Sequence, residues 1–546
     1  MAVAERTLYT FPPAPDAMAP EWPGTPIGAK NTITRTKGRT AVHDKTIDRK
    51  PGMLRGLLAN AFEHVATSDQ RTYSHDVVIH GLRVRAITNS EHLIGYWRDN
   101  WFSLQEWADR TGKSVAEKPD VLVVALGGIP TEREAAYYSR QNDTVVFFNT
   151  SYYGQLKSWV LGAVGRKLAV DHGIHSIHGA VVQKDDKGIL YIAPTGTGKS
   201  TSTYGVMDFP NTRFHSDDWV YVRYAFATKD GRRLTPSRIT KDGAELARGY
   251  RCYRWLEDNT GSDATVVGRT LDDAEMAVRV NELDVDHPQA YAYTSEKVFY
   301  LRSNLVENFP QAAFDMVRSR LENAPDVTPA FVAENASTIE AVAEKLRGRA
   351  PFDRLGDDEL RSTIARMFAF DNTRAMLDIT TVFPRERVFT NPMEPCRVHA
   401  AFLLKRNFDE DLVIERMSIE QFMARLMVGL TPMGTKEIVY NSYRAVDDVS
   451  ERAWLDRIEA KGLDRMWDEY RKAMDKPETL EEEIEMFRML YRSAAAYDLN
   501  TVLQKDPTIG SKMEAVGRTM ELIVKALDNT KTSYRYTIGD YAKLLK

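Results

Sequence analysis

Short apolar runs rich in β-branched residues recur between residues 76 and 224, and they have the length and composition of β-strands. The clearest are Val77–Ile79, Leu82–Ile87, Val121–Leu126, Val145–Phe148, Gly179–Val182, Ile189–Ile192 and Trp219–Tyr224. Between them, residues 155–171 carry apolar side chains at positions 156, 159, 160, 163 and 164, the spacing of one helix face. Strands that alternate with helices predict an α/β fold.

The pattern changes further along the chain. Residues 225–295 are polar and rich in turn-forming residues, so we interpret them as an insertion. Helices are predicted at 337–349, 357–368, 447–476, 479–497 and 511–529. This gives four predicted regions: an irregular, proline-rich arm (1–30), a first lobe (31–175), a second lobe with the insertion (176–437) and a helical C-terminal subdomain (438–546).

The amino-acid composition limits the class of protein but points to no particular reaction. The 546 residues include 43% hydrophobic and 27% charged side chains, with a net charge of −4, as in ordinary globular proteins. This balance favours neither a nucleic-acid nor a membrane surface as partner, and it leaves the oligomeric state open. The sequence has only two cysteines, Cys252 and Cys396, which lie far apart. It shows neither a leader-like apolar segment nor an apolar run long enough to span a membrane. These features together predict a cytoplasmic protein.

A phosphate-binding loop follows the predicted strand that ends at Ala193. Residues 193–201 read Ala-Pro-Thr-Gly-Thr-Gly-Lys-Ser-Thr, close to the GxxxxGK[ST] pattern, with Ala193 where the first glycine usually sits. Backbone N–H groups of such a loop surround a polyphosphate, a lysine binds its β- and γ-phosphates, and a hydroxyl binds Mg²⁺. The residues predicted to bind the nucleotide are Pro194, Thr195, Gly196, Thr197, Gly198, Lys199, Ser200 and Thr201.

Two further candidates flank this loop in sequence. His178 comes just before the strand that leads into the loop, and Asp217-Asp218 begins eighteen residues after Lys199, at the start of another strand. Since both strands lead toward the phosphate end, the imidazole and the carboxylates are candidates for a metal site. The alternative for a single histidine at this position is a structural role.

Together, the His178, phosphate-loop and Asp217-Asp218 motifs resemble the superfamily that contains HPr kinase and phosphoenolpyruvate carboxykinase. The sequence segments on either side of these motifs are most similar to the ATP-dependent carboxykinase. The collinear matches are residues 81–88 with 97–102, 152–158, 173–178, 193–201, 217–218, 300–305, 371–374 and 418–437, and more weakly 37–45. The resemblance implies a two-lobed, carboxykinase-like P-loop fold, here with an inserted segment and a helical C-terminal tail.

The resemblance also implies a set of nucleotide and metal ligands. Lys199 and Ser200 would hold ATP and its Mg²⁺, and Asp217 would orient the magnesium shell. His178, Asp218 and Lys157 would surround a second metal, typically Mn²⁺. A lysine amine can act as such a ligand only when its pKa is strongly depressed.

The substrate side of the resemblance assigns four more residues. Arg302 and Arg374 would clamp the γ-phosphate and the substrate, while Arg39 and Tyr152 would recognise a small carboxylate substrate. The implied reaction is decarboxylation of oxaloacetate coupled to phosphoryl transfer from ATP, or the reverse carboxylation. Fixed cations and metals are suited to stabilise the enolate and the moving phosphoryl group.

Four departures from the family pattern keep alternatives open. The register suggests that Ser158 stands where the family has the lysine that usually binds manganese, although a one-residue shift would put Lys157 there. An extra segment separates Asp218 from Arg302, and Arg302 itself stands where the family has a lysine. The adenine-binding segment is not recognisable, so ATP is not distinguished from GTP.

One alternative is a kinase on the same scaffold, acting on another small molecule or a protein serine, with Asp217 or Asp218 as general base. The other is a nucleotide-binding regulator without turnover. Trp97 and Trp101 are predicted to pack in the core.

Overall fold

The structure is a computed structural model, and its α/β class agrees with the alternation of strands and helices in the sequence. It describes residues 30–33, 42–44, 47–67, 69, 71–149, 153–194, 197–301, 327–348, 352–369, 373–378, 383–437, 449–529 and 533–539. Within these residues, none of the helices is both long enough and apolar enough to cross a bilayer.

The first part of the chain forms a seven-stranded sheet with helices on its faces. Its strands and helices are β1 (Lys30–Ile33), β2 (Val42–Asp44), α1 (Met53–Thr67), β3 (Tyr73–Ile79), β4 (Leu82–Thr88), α2 (Glu91–Asn100), β5 (Phe102–Ser103), α3 (Leu104–Thr111), β6 (Val121–Leu126), β7 (Ala135–Ser139), β8 (Thr144–Phe148) and α4 (Tyr153–His172). The sheet has the strand order β2-β7-β8-β6-β4-β3-β5, while β1 belongs elsewhere. β3 and β4 form a hairpin through His80 and Gly81, which both have the positive φ that a two-residue turn of this kind requires.

The middle of the chain builds one side of a larger sheet. Its elements are β9 (Ile174–Lys184), β10 (Lys187–Ile192), α5 (Lys199–Val206), β11 (Thr212–Ser216), β12 (Trp219–Thr228), β13 (Arg233–Lys241), β14 (Ala244–Arg248), α6 (Arg251–Asp258), β15 (Thr265–Thr270), β16 (Glu275–Arg279) and β17 (Leu283–Tyr293). The segment interpreted as an insertion is therefore mostly strand, and it extends the large sheet through β13, β15 and β16.

The last part contributes the other side of that sheet and most of its covering helices. Its elements are β18 (Val298–Leu301), α7 (Pro329–Glu334), α8 (Ala336–Leu346), α9 (Asp357–Ala369), β19 (Thr373–Asp378), β20 (Cys396–Lys405), β21 (Leu412–Arg416), α10 (Ile419–Val428), α11 (Val449–Glu459), α12 (Leu463–Lys472), α13 (Glu478–Ser493), β22 (Ala495–Asn500), α14 (Lys512–Asp528) and β23 (Arg535–Thr537). Short 3₁₀ turns lie at Ile47–Arg49, Val280–Glu282, Phe352–Arg354, Arg385–Arg387 and Leu503–Lys505. β1, β19 and β18 make a separate three-stranded sheet in that order.

The large sheet has a core on each face. Its main path is β16-β15-β13-β12-β9-β10-β20-β22-β21-β23, with β10, β20 and β22 parallel to one another. Successive residues of β10 point to opposite faces: Leu190 and Ile192 pack in the core beneath α10, α12 and α13, whereas Ile189 and Tyr191 pack beneath α8, α9 and α14. Both faces are covered, which explains why these strands are continuously apolar instead of alternating.

Most of the described residues after 448 are helical, but one of the predicted helices is too long. The helix predicted at 479–497 ends at Ser493, and residues 495–500 form β22, which lies inside the large sheet between β20 and β21. A short strand that is held by parallel pairing with a distant strand has no periodicity of its own in the local sequence. Because the helical pattern of the preceding residues runs directly into β22, the sequence predicts that the helix continues through it.

Candidate functional site

The candidate site lies where helix α4 meets the middle of β9 and the start of β12 in the large sheet. β9 and β12 are antiparallel, and their register places Trp219 opposite His178. Asp218 immediately precedes β12, and its carbonyl accepts a hydrogen bond from the N–H of Gly179 at 3.1 Å. The His178–Asp218 juxtaposition is thus set by strand pairing alone.

A glycine is required beside His178. A Cβ atom on Gly179 would lie 2.7 Å from the carbonyl oxygen of Tyr191, on the neighbouring strand β10. The His178 ring also stacks on Trp219, with centroids 5.3 Å apart and planes 23° from parallel. The Trp219 indole N–H in turn donates to the Ser176 hydroxyl at 2.8 Å, so the stacking surface is itself fixed.

Three nitrogen-bearing side chains converge on the Asp218 carboxylate. Lys157 Nζ lies 2.9 Å from its Oδ2, while Lys199 Nζ and His178 Nε2 lie 3.1 Å and 3.2 Å from its Oδ1. Lys199 also donates to the carbonyl oxygen of Asp217 at 2.9 Å. The structure therefore brings together Lys157, His178, Lys199, Asp217 and Asp218, which the sequence assigned to one site.

The surroundings shift the pKa values of both central groups. Burial raises the pKa of Asp218, but the ammonium groups of Lys157 and Lys199 outweigh it and hold this pKa well below its usual value. Burial lowers the pKa of His178, and the Lys199 charge lowers it further against the opposing effect of Asp218. At neutral pH the carboxylate is therefore ionised and the imidazole is neutral, although their side chains remain 26% and 31% exposed.

Glu296 belongs to this site and was missed in the sequence. Its Oε1 lies 2.6 Å from Lys157 Nζ and accepts a hydrogen bond from Asn100 Nδ2 at 3.2 Å. An isolated backbone bridge between Trp101 and Glu296 holds the segment against the end of α2. Burial raises the pKa of Glu296, and the charge of Lys157 opposes this rise. Glu296 lies between β17 and β18 and outside any motif, so local sequence gave no signal for it.

The structure resolves which residue of the Lys157-Ser158 pair faces the site. Lys157 is buried against Asp218 and Glu296, whereas Ser158 is exposed and donates its hydroxyl to the Gly154 carbonyl at 2.8 Å. Of the two registers that the sequence leaves open, the structure therefore has the one in which Lys157 faces the site.

The predicted phosphate loop joins β10 to α5. Gly198 has a φ of +101°, a conformation that favours glycine, and its carbonyl accepts the N–H of Ser202 in the first turn of α5. Thr197 closes the loop by donating its hydroxyl to the Pro194 carbonyl at 2.8 Å. Lys199 thus begins the helix, with its ammonium group turned toward Asp218.

The remaining predicted residues stay predictions. Arg39, Tyr152, Thr195, Gly196 and Arg302 lie outside the described residues. For Ser200, Thr201 and Arg374 the structure describes the backbone but not the side chains. Arg374 lies on β19, where it pairs with Thr32 of β1.

Trp97 and Trp101 are fully buried, and their rings make an edge contact with centroids 4.8 Å apart. This confirms the prediction that both pack in the core.

In comparisons with known proteins, the chain matches no protein-family model and no curated protein. The carboxykinase resemblance therefore rests on the short motifs alone.

Proposed function

We propose that the chain is a carboxykinase-like enzyme of the phosphoenolpyruvate carboxykinase type, with a P-loop fold of that family. It would couple phosphoryl transfer from ATP to decarboxylation of oxaloacetate, or catalyse the reverse carboxylation. The observation that carries this proposal is the contact of one carboxylate, Asp218, with the P-loop lysine Lys199, with His178 and with Lys157. These are the groups that the resemblance assigns to nucleotide and metal binding.

The donor atoms of this cluster fit a divalent metal. A neutral imidazole nitrogen on His178 and an ionised carboxylate on Asp218 are ordinary ligands for Mn²⁺. Lys157 would join them only after losing its proton, because an ammonium group has no lone pair. No group of three or more histidine, cysteine, aspartate or glutamate ligands occurs among the described residues, so substrate and water would complete the coordination. Ser200 and Asp217 are the residues proposed for Mg²⁺.

The chain's own residues supply positioning and charge. Lys199 would bind the β- and γ-phosphates of ATP, and the metals, when bound, supply additional positive charge near the developing enolate. Glu296 and Asn100 hold Lys157 in place beside Asp218. Such a site needs no covalent nucleophile, since the enolate oxygen of the substrate attacks the γ-phosphate.

The low pKa of Asp218 argues against a kinase in which Asp218 is the general base. A general base that accepts a proton from a hydroxyl works best when its pKa is near the working pH. Two adjacent ammonium groups make the Asp218 carboxylate a weak base. The same carboxylate is well suited to bind a cation.

The test is formation of phosphoenolpyruvate. The protein is incubated with oxaloacetate, Mg²⁺, Mn²⁺ and either ATP or GTP, and phosphoenolpyruvate is measured, because oxaloacetate also loses CO₂ on its own. The expected result is a product that depends on nucleotide and is lost in Lys199→Ala. ADP formation with a different acceptor and no phosphoenolpyruvate would replace this proposal with the kinase; nucleotide binding without turnover under any metal would replace it with the regulator.

A further inference from the structure

Three parallel strands end at the phosphate loop. β10 pairs with β20, and β20 pairs with β22, all in parallel. The carboxyl ends of parallel strands meet at one edge of a sheet, where ligands bind in open α/β sheets. The residues that follow β20 and β22, Arg406 and Thr501, therefore stand beside the loop that follows β10.

Thr501 connects these three strand ends. Its N–H donates to the Lys405 carbonyl at 2.9 Å, and its hydroxyl donates to the carbonyl of Thr197 in the phosphate loop at 3.1 Å. The same hydroxyl oxygen accepts a hydrogen bond from Arg406 Nε at 3.2 Å. This anchors the guanidinium next to the loop: Arg406 Nη2 lies 3.5 Å from the point where a Cβ atom of Gly198 would stand.

The charge of Arg406 is available to an anion. Its side chain is exposed, and within the described part of the chain no carboxylate lies at ion-pair distance from it. The adjacent Lys405 differs: it is fully buried, touches Glu410 and lies 2.7 Å from Asp498, which is 3.4 Å from Arg425. Two cations and two anions balance within this buried group, so it leaves the Arg406 charge uncompensated.

Arg406 lies on the side of the loop opposite the reacting groups. The strand order β12-β9-β10-β20-β22 puts His178 and Asp218 on one side of β10, and Arg406 and Thr501 on the other. If the γ-phosphate is held near Lys199 and Asp218, the triphosphate extends toward β20, and the nucleoside of the nucleotide lies on that side of the loop.

Resting on the proposed function, we infer that Arg406, anchored by Thr501, binds the α-phosphate of the nucleotide. A guanidinium presents paired N–H donors that match phosphate oxygens, which a lysine cannot reproduce. Since ATP and ADP both have an α-phosphate, Arg406 contributes equally to both.

The experiment compares Arg406→Ala and Arg406→Lys with a matched control, Arg397→Ala. Arg397 is an exposed arginine at the start of β20, about 30 Å from Arg406, which follows the other end of that strand. Calorimetric titration with Mg²⁺-ATP and with ADP should show affinity for both falling about 10- to 100-fold in Arg406→Ala. The loss should be smaller in Arg406→Lys and absent in Arg397→Ala. Where phosphoenolpyruvate is formed, KM for ATP should rise while kcat stays unchanged.

The outcomes separate this inference from the function on which it rests. The unfolding temperature without nucleotide should be unchanged in Arg406→Ala. If the alanine variant does not fold, the nucleotide affinities of Arg406→Lys are compared with those of the unaltered protein instead. Unchanged affinity for both nucleotides overturns the role of Arg406 while the nucleotide site stands. A loss for ATP alone would put the guanidinium at the γ-phosphate and overturn the α-phosphate assignment. If the unaltered protein binds neither nucleotide, both proposals fall.

Discussion

Replacing Lys157 with methionine tests the charge balance of the site directly. In the folded protein the Lys157 ammonium lies 2.9 Å from Asp218 and 2.6 Å from Glu296, with its side chain only 8% exposed. Without it, Asp218 keeps Lys199 and His178 nearby, but Glu296 loses its cation and keeps the Asn100 amide. Breaking a buried pair in this way costs about 3–5 kcal/mol of stability.

The cost should depend on pH, and its sign follows from Glu296. Burial already raises the pKa of Glu296, and Lys157 is the charge that opposes this. Removing Lys157 therefore raises the folded-state pKa further above the unfolded value of about 4.3. A carboxyl group with a raised folded pKa favours folding while protonated, and this stability is lost as pH rises toward the folded pKa. The deficit of Lys157→Met relative to the unaltered protein should thus grow from pH 5 to pH 8, by about 1.4 kcal/mol for each unit of added shift.

Urea unfolding at pH 5 and pH 8, with chelator present and tryptophan fluorescence as the signal, measures this difference. The control compares Lys157→Met/Glu296→Gln with Glu296→Gln alone. Since the Glu296 carboxyl group is absent from both, the difference in stability between them should be similar at both pH values. The reasoning is refuted if Lys157→Met shows the same deficit at both pH values, or a deficit below about 1 kcal/mol at pH 8.

Three further predictions follow from other contacts. Ser158→Ala should leave any Mn²⁺-dependent turnover within about twofold, since this hydroxyl bonds only the Gly154 carbonyl at the surface; a large loss in a steady-state assay would contradict the α4 register. Asp498→Asn should lower stability in urea unfolding by about 3 kcal/mol, because it leaves the buried cations Lys405 and Arg425 undercompensated; an unchanged free energy of unfolding would contradict this charge balance. Lys199→Ala should abolish phosphoryl transfer while the far-UV circular dichroism spectrum stays native, and residual transfer near the normal rate would remove the phosphate loop from the mechanism.

Much of the site could be predicted because its parts are close in sequence or on neighbouring strands. His178 lies within β9, Asp218 directly precedes β12, and antiparallel pairing of these two strands makes them neighbours. The side chain that α4 presents could not be fixed from sequence, since this helix is buried around most of its circumference. Only packing selects Lys157 over its neighbour.

The residues that sequence reasoning missed are brought in by long-range pairing. Glu296 reaches the site through an irregular segment held against Trp101, and Arg406 and Thr501 arrive on strands whose parallel pairing joins distant parts of the chain. β22 was overlooked for the same reason. Its partners are non-local, and a helix that runs to Ser493 precedes it directly.

Crystals soaked with ATP, Mn²⁺ and oxalate, a mimic of the enolate, would test the central claim most directly through the anomalous signal of manganese. The account predicts a manganese peak bounded by His178 Nε2 and the Asp218 carboxylate, with the triphosphate of the nucleotide at Lys199. A nucleotide bound away from the 193–201 loop, or manganese bound without either His178 or Asp218, would contradict it.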